Sequence, residues 1–168
     1  VDIIPNSGIT PERLSYQDYT SPVETSALRI FVRASSAEIN SLMSLRSKKV
    51  AVVKHNISQY FMEKQQTAEL LSYNTVEEAI LALLSGNADA LVFPAPILQR
   101  HALLSGIDDH IKAVGPQLLE IKRAIAVAKG RPELLKRLNT AVQVFTTSQE
   151  YKNIYQKWYN VPQPYWTL

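Results

Sequence analysis

The 168-residue chain contains no cysteine. That excludes a disulfide framework, a thiolate nucleophile and cysteine-based metal binding. It also lacks any uninterrupted apolar run near the roughly 18 residues needed to cross a bilayer. Val1-Asp2-Ile3 has neither a basic start nor a long apolar stretch, so no leader signature opens it. As given, it reads as a soluble piece, mature or excised. No P-loop, G-x-G-x-x-G or nucleophile elbow is present. His55, His101 and His110 show no metal-ligand spacing with acids. Glu77 and Glu78 sit where a helix starts, and dipole stabilisation accounts for them. These absences leave no argument for an enzyme, a metal or a cofactor.

What is present is enough apolar material, 46% of residues, for an ordinary domain with a core. The net charge is +3 and the sequence pI about 9.1. The cations are scattered (Arg46, Lys48 and Lys49; Lys122 and Arg123; Lys129, Arg131, Lys136 and Arg137). They read as solvated surface, with no nucleic-acid recognition motif beside them.

Val1 to Ile4 reads as a buried strand and Pro5-Asn6-Ser7-Gly8 as a turn. Thr10-Pro11-Glu12-Arg13 reads as a short helical turn, with Thr10 as cap and Pro11 first. Ala27 to Arg33 is a strand, and Ala34-Ser35-Ser36 a crossing into new structure. Strands are expected at Lys49 to Val53, Glu69 to Tyr73, Ala90 to Phe93 and Ile111 to Val114. Between them lie helices opened by Asn56-Ile57-Ser58-Gln59 and by the capping box Thr75-Val76-Glu77-Glu78, then one over Ala95 to Ser105. Strands alternating with helices imply βαβ units and a mainly parallel sheet. After Gly115-Pro116 a separate strand is expected at Arg123 to Ala128. A helix from Pro132 and one capped by Ser148, running to about Tyr159, follow. Residues 160–168 are proline-spaced and expected to be extended.

Arg13 is the leading candidate for chemistry. A guanidinium just after a strand and a polar turn can pair both oxygens of a carboxylate. The plain alternative is a solvated surface charge. Asn56-Ile57-Ser58 opens a helix, where free N–H groups attract an anion; the alternative is a capped helix and nothing more.

The stretch Gly8-Ile9-Thr10-Pro11-Glu12-Arg13, followed by Asp18-Tyr19-Thr20-Ser21-Pro22, resembles the signature of type 2 periplasmic solute-binding proteins, extracellular family 3. Further pieces fall in the family's order: Lys48-Lys49-Val50-Ala51-Val52, Thr75 to Ala79, Gly86-Asn87-Ala88-Asp89-Ala90, Ile125 to Gly130 with Leu134 to Asn139, and Tyr155-Gln156-Lys157-Trp158-Tyr159. The resemblance implies an α/β, two-lobe fold with mainly parallel sheets and an incomplete first lobe. The expected division is partial lobe 1 at 1–35, lobe 2 at 36–114, a return to lobe 1 at 115–159 and a tail at 160–168. A complete first lobe would need about 60 more residues before Val1, at about 30 per crossover. Exposed lobe 1 edges are then expected to pair with another chain, giving a dimer.

The resemblance also implies a site. Arg13 would pair the ligand's carboxylate, with Gly8 and Asn6 just upstream, and Asn56, Ile57 and Ser58 would close from the second lobe. Gly8 departs from the Ser or Thr of many relatives, losing a hydroxyl contact. His55 stands where glycine is common; at a cleft mouth, its protonation would tune anion binding near about pH 6 to 7. Amino-acid binders of the family often carry an acid for the ligand's ammonium five residues after Asp89, where this chain has Pro94. Carboxylate capture is therefore supported and amine capture is not, unless another acid supplies it.

The implied function is extracytoplasmic binding of a small carboxylate-bearing solute between lobes, driving hinge closure. The closing aromatic and proline-rich stretch from Trp158 to Thr167 resembles sensor domains joined to a membrane helix in histidine kinases and diguanylate-cyclase-type receptors. The alternatives are the free solute-binding protein of an ABC transporter and the regulatory module of a lytic transglycosylase-like enzyme. Each places the chain in the periplasm or outside the cell. In the receptor reading it is anchored to the membrane through a downstream segment.

Overall fold

A computed structural model describes residues 2–10 and 13–159. The expectations for Val1, for Pro11 as first helical residue and for the tail 160–168 lie outside the described residues. The chain divides into two compact units. Unit 1 is built from the described parts of 1–26 and 121–168, and unit 2 from 27–120. The chain passes between them within two strands, β3 (Glu24–Arg33) and β7 (Ile111–Ala128).

In unit 2, β4 (Lys49–Val53) pairs in parallel with β5 (Glu69–Tyr73) and with β6 (Ala90–Pro94), and β3 pairs antiparallel with β6. The parallel pairs are those joined by helices, as crossover connections require. The helices are α1 (Ile57–Gln65), α2 (Val76–Leu84) and α3 (Ala95–Leu104). β6 is buried along its whole length, the pattern of a strand covered on both faces. One face packs Ala51, Leu91 and Phe93 with Ala79, Ile80, Leu83, Leu98 and Ala102 of α2 and α3. The intervening residues Val50, Val52 and Val92, also fully buried, point to the opposite face by the period of two.

Local signals place the helices. Thr75 accepts from the Glu78 N–H while the Glu78 carboxylate accepts from the Thr75 N–H, a complete capping box. Asn56 Oδ1 accepts from the Ser58 N–H at 3.1 Å. Gln59, expected to complete a second box on Asn56, reaches one residue further and accepts from the His55 N–H at 2.8 Å. The far end of α2 is held by Arg33, whose Nη1 donates to the carbonyls of Leu83 and Ala88 at 2.6 and 2.8 Å.

In unit 1, β1 (Ile3–Gly8) and β2 (Gln17–Tyr19) both pair antiparallel with the end of β7. Helices α4 (Pro132–Thr146) and α5 (Gln149–Tyr159) follow. They are linked to the rest of the unit by Asn139 Oδ1, which accepts from the Ser21 N–H at 2.6 Å, and by the Tyr151 hydroxyl, which donates to the Val23 carbonyl at 2.5 Å. Among the described residues, no helix is long and apolar enough to cross a membrane.

Three local expectations are corrected. Pro5-Asn6-Ser7-Gly8 is the second half of β1, not a turn, because Ser7 and Gly8 pair with Ala124 and Arg123; a register shift between Ile4 and Ser7 absorbs the irregularity. Ile3 and Ile4 are exposed, not buried. The strands expected at 111–114 and 123–128 are one continuous β7. Gly115 takes φ 64° within it, and its carbonyl accepts from Arg29 Nη2 at 2.7 Å.

Candidate functional site

The resemblance-derived residues fall in both units. In unit 1, β1 carries Asn6 and Gly8, and a 3-10 turn over Arg13–Ser15 carries Arg13. The turn is set by Thr10, whose hydroxyl accepts from the Arg13 N–H at 3.3 Å and whose carbonyl accepts from the Leu14 N–H. This is the capping role expected of Thr10. Asn6 is exposed, and lies in the stretch where the β1 register shifts.

Arg13 and Gly8 are brought together. The Arg13 guanidinium is exposed and folds back over β1, Nη1 donating to the Gly8 carbonyl at 3.2 Å and to Ser7 Oγ at 3.4 Å. A Cβ on Gly8 would stand 3.8 Å from Nη1, so a small side chain there fits beside the guanidinium. Both acceptors are neutral. Among the described residues no carboxylate lies within ion-pair distance of Arg13, whereas nearby in sequence Asp18 pairs with Lys129 and Asp2 with Arg131, each at 2.9 Å. A guanidinium carries five N–H donors, and among the described residues the side-chain contacts of Arg13 are made through Nη1.

Sequence reading missed Ser7, which touches Arg13, and Tyr19 and Gln17, linked to it through Ser7. The Tyr19 hydroxyl donates to Gln17 Oε1 at 2.9 Å and lies 3.4 Å from both Ser7 Oγ and the Gly8 carbonyl. The available signal was Gln-x-Tyr before Ala124-x-Ala126-x-Ala128: two polar side chains on one strand face, crossing a strand whose same face is all alanine.

In unit 2, Asn56 and Ile57 are half-buried at the start of α1, and Ser58 is 0% exposed. The Ser58 hydroxyl and N–H both donate to Asn56 Oδ1, so Ser58 serves the cap. His55, exposed, turns the chain into the helix with φ 59°. Pro94, at the position where an ammonium-binding acid was sought, is buried as the residue capping α3. His101 lies 3.2 Å from Glu77, and His110 contacts Asp109. A surface groove of about 790 Å3 along α4 and the start of α5 includes none of the candidate residues.

The chain is 26% identical over 166 residues to the L-arginine-binding protein of Pseudomonas aeruginosa, covering 94% of this chain and 64% of that protein. It is 30% identical over 161 residues to the ABC transporter glutamine-binding protein GlnH of Bacillus subtilis, covering 93% of this chain and 56% of that one. The chain thus spans less than two thirds of the length of these relatives. Among solved structures, the GluR0 ligand-binding core from Nostoc punctiforme in complex with L-glutamate superposes with a TM-score of 0.79 at 30% identity, covering 96% of this chain and 74% of that one. A histidine kinase sensor domain with similarity to periplasmic binding proteins shares the fold, with a TM-score of 0.77 at 24% identity, covering 98% of this chain and 72% of that domain. The type 2 periplasmic-binding-protein fold expected from sequence is the one found, but its pairing is mixed where a mainly parallel sheet was expected: antiparallel where β3, β1 and β2 pair and parallel around β4. Residues 1–161 match bacterial extracellular solute-binding proteins, family 3, and the chain belongs to that family.

Proposed function

We propose that this chain binds the carboxylate of a small extracytoplasmic solute, an amino acid in the first instance, and that Arg13 is the anchor. One observation carries the reading: among the described residues, Arg13 is held in place by neutral oxygens alone, at 3.2 and 3.4 Å, while Lys129 and Arg131 in the same unit are paired with acids. A guanidinium oriented but not neutralised is suited to pair both oxygens of an arriving carboxylate. Gly8 lies against it on β1, and Asn6 stands two residues before Gly8 on the same strand. Asn56 and Ile57, at the start of α1, form a second candidate end for an anion, with Ser58 as support of the cap.

The named ligands of the relatives, arginine, glutamine and glutamate, share an α-carboxylate, and this supports the amino-acid reading. Two outputs fit such binding. The aromatic and proline-rich stretch from Trp158 to Thr167 favours the sensor of a membrane receptor, in the periplasm or outside the cell. The names of the relatives favour the binding protein of a transporter. The gene sequence beyond Leu168 separates them: a membrane helix and signalling domain for the first, a stop codon for the second.

The test is calorimetric titration with L-arginine, L-glutamine and L-glutamate. Removing a charge-assisted pair costs about 1.5–3 kcal/mol, so Arg13→Ala is expected to weaken binding about 10-fold or more. Unchanged affinity in Arg13→Ala overturns the assignment of Arg13.

A further inference from the structure

Ser7, Tyr19 and Gln17 form an unbroken polar line ending on Arg13. Arg13 Nη1 lies 3.4 Å from Ser7 Oγ, Ser7 Oγ lies 3.4 Å from the Tyr19 hydroxyl, and that hydroxyl lies 2.9 Å from Gln17 Oε1. The two ends fix the direction of every proton between them. A guanidinium only donates, so Ser7 Oγ accepts from it. An amide oxygen only accepts, so the tyrosine proton goes to Gln17 at 2.9 Å in preference to the more distant Gly8 carbonyl at 3.4 Å. The Ser7 proton is then the one left for the Tyr19 oxygen. The order Arg13 to Ser7 to Tyr19 to Gln17 makes all three contacts with one proton in each, and chains running in one direction reinforce their members.

The backbone builds this line across β7. Ser7 stands opposite Ala124 and Tyr19 opposite Ala126, two residues further along the same strand and therefore on the same face. β1 and β2 flank β7, so the Tyr19 side chain crosses it to reach Ser7. Ala124 and Ala126, both buried and small, leave room for the ring. Ser7 is itself only 7% exposed, so its contacts to Arg13 and Tyr19 are shielded from competing water.

We propose that Gln17, Tyr19 and Ser7 are a positioning relay for Arg13. They hold the guanidinium in one orientation, so that its remaining N–H groups meet a carboxylate without first being ordered. This rests on Arg13 being the ligand anchor. None of the three touches the ligand; they act through Arg13.

The test combines a double-mutant cycle with a ligand-free readout. The ligand is whichever of L-arginine, L-glutamine and L-glutamate titrates. Tyr19→Phe, which removes one hydroxyl and keeps the ring, is expected to weaken binding about 3- to 10-fold. In an Arg13→Ala background the same change is expected to alter affinity less than about 2-fold, because the group it positions is gone. Equal weakening in both backgrounds overturns the relay. Without ligand, nuclear magnetic resonance of the arginine side chains should show slowed rotation of the Arg13 guanidinium, and faster rotation in Tyr19→Phe. Identical rotation in the two proteins also overturns it. Gln17→Leu, which removes only the terminal acceptor, should move both readouts in the same direction and serves if Tyr19→Phe does not fold. If Arg13→Ala leaves affinity unchanged, the anchor reading fails instead, and the rotation measurement still judges the relay.

Discussion

A Cβ placed on Gly115 would stand 2.3 Å from the carbonyl oxygen of Asn40. No side-chain adjustment relieves that approach, since the obstacle is backbone. The same residue has φ 64°, a conformation only glycine adopts freely. Gly115 therefore lets β7 run unbroken past Pro116 while its own carbonyl accepts from Arg29.

The consequence is a severe substitution away from the candidate site residues. Gly115→Ala combines left-handed strain with a backbone clash, together costing about 3 kcal/mol. Urea denaturation should show a midpoint lowered accordingly, with intact secondary structure below the transition. A variant as stable as the parent would mean that Asn40 and Gly115 do not approach as described.

His55 presents the opposite case, a residue with a side chain where glycine would be easier. Its φ is 59°, and its N–H donates to Gln59 Oε1 at 2.8 Å, so the backbone there is fixed by the helix start that follows. A left-handed L-residue costs about 1–2 kcal/mol. Glycine returns about 0.5–1 kcal/mol of that through its greater freedom in the unfolded chain. His55→Gly is therefore expected to stabilise the protein by about 0.5–1 kcal/mol, raising the thermal midpoint by roughly 2 °C at this size. A lowered midpoint would show that the imidazole makes a contact worth more than the strain.

These positions also mark where the sequence was readable. The starts of α1 and α2 were legible because the groups involved lie within four residues: Asn56 with Ser58, and Thr75 with Glu78. β4 and β5 were legible from apolar runs bounded by polar residues. The break expected at Gly115-Pro116 was a reasonable local reading, and it was overruled by distant partners, Arg29 and Asn40, that no local pattern reports. The turn expected at Pro5 to Gly8 was overruled in the same way, by pairing with β7 more than a hundred residues away. For the site, Arg13 stood out through its motif. Ser7, Gln17 and Tyr19 did not, because what joins them to Arg13 is the register of two strands on a third.

Tyr155 offers a stability test by pH. It is 5% exposed, and burial, with the charge of Glu24 and the neighbouring Tyr151 adding to it, pushes its hydroxyl up to about 12 from 10.0. The folded protein thus keeps a proton that the unfolded chain releases above about pH 10. Where the native state binds more protons, stability falls as pH rises. The contribution of Tyr155 is complete below about pH 10 and is lost progressively toward pH 12, amounting to about 2–3 kcal/mol at that end. Tyr155→Phe keeps the ring that packs 6.2 Å from Tyr151 but removes the titrating proton. Urea midpoints measured from about pH 8.5 to 11.5 should therefore decline less steeply in Tyr155→Phe than in the parent, with the curves separating only above about pH 10. Parallel curves throughout would show that Tyr155 ionises as readily in the folded chain as in the unfolded one.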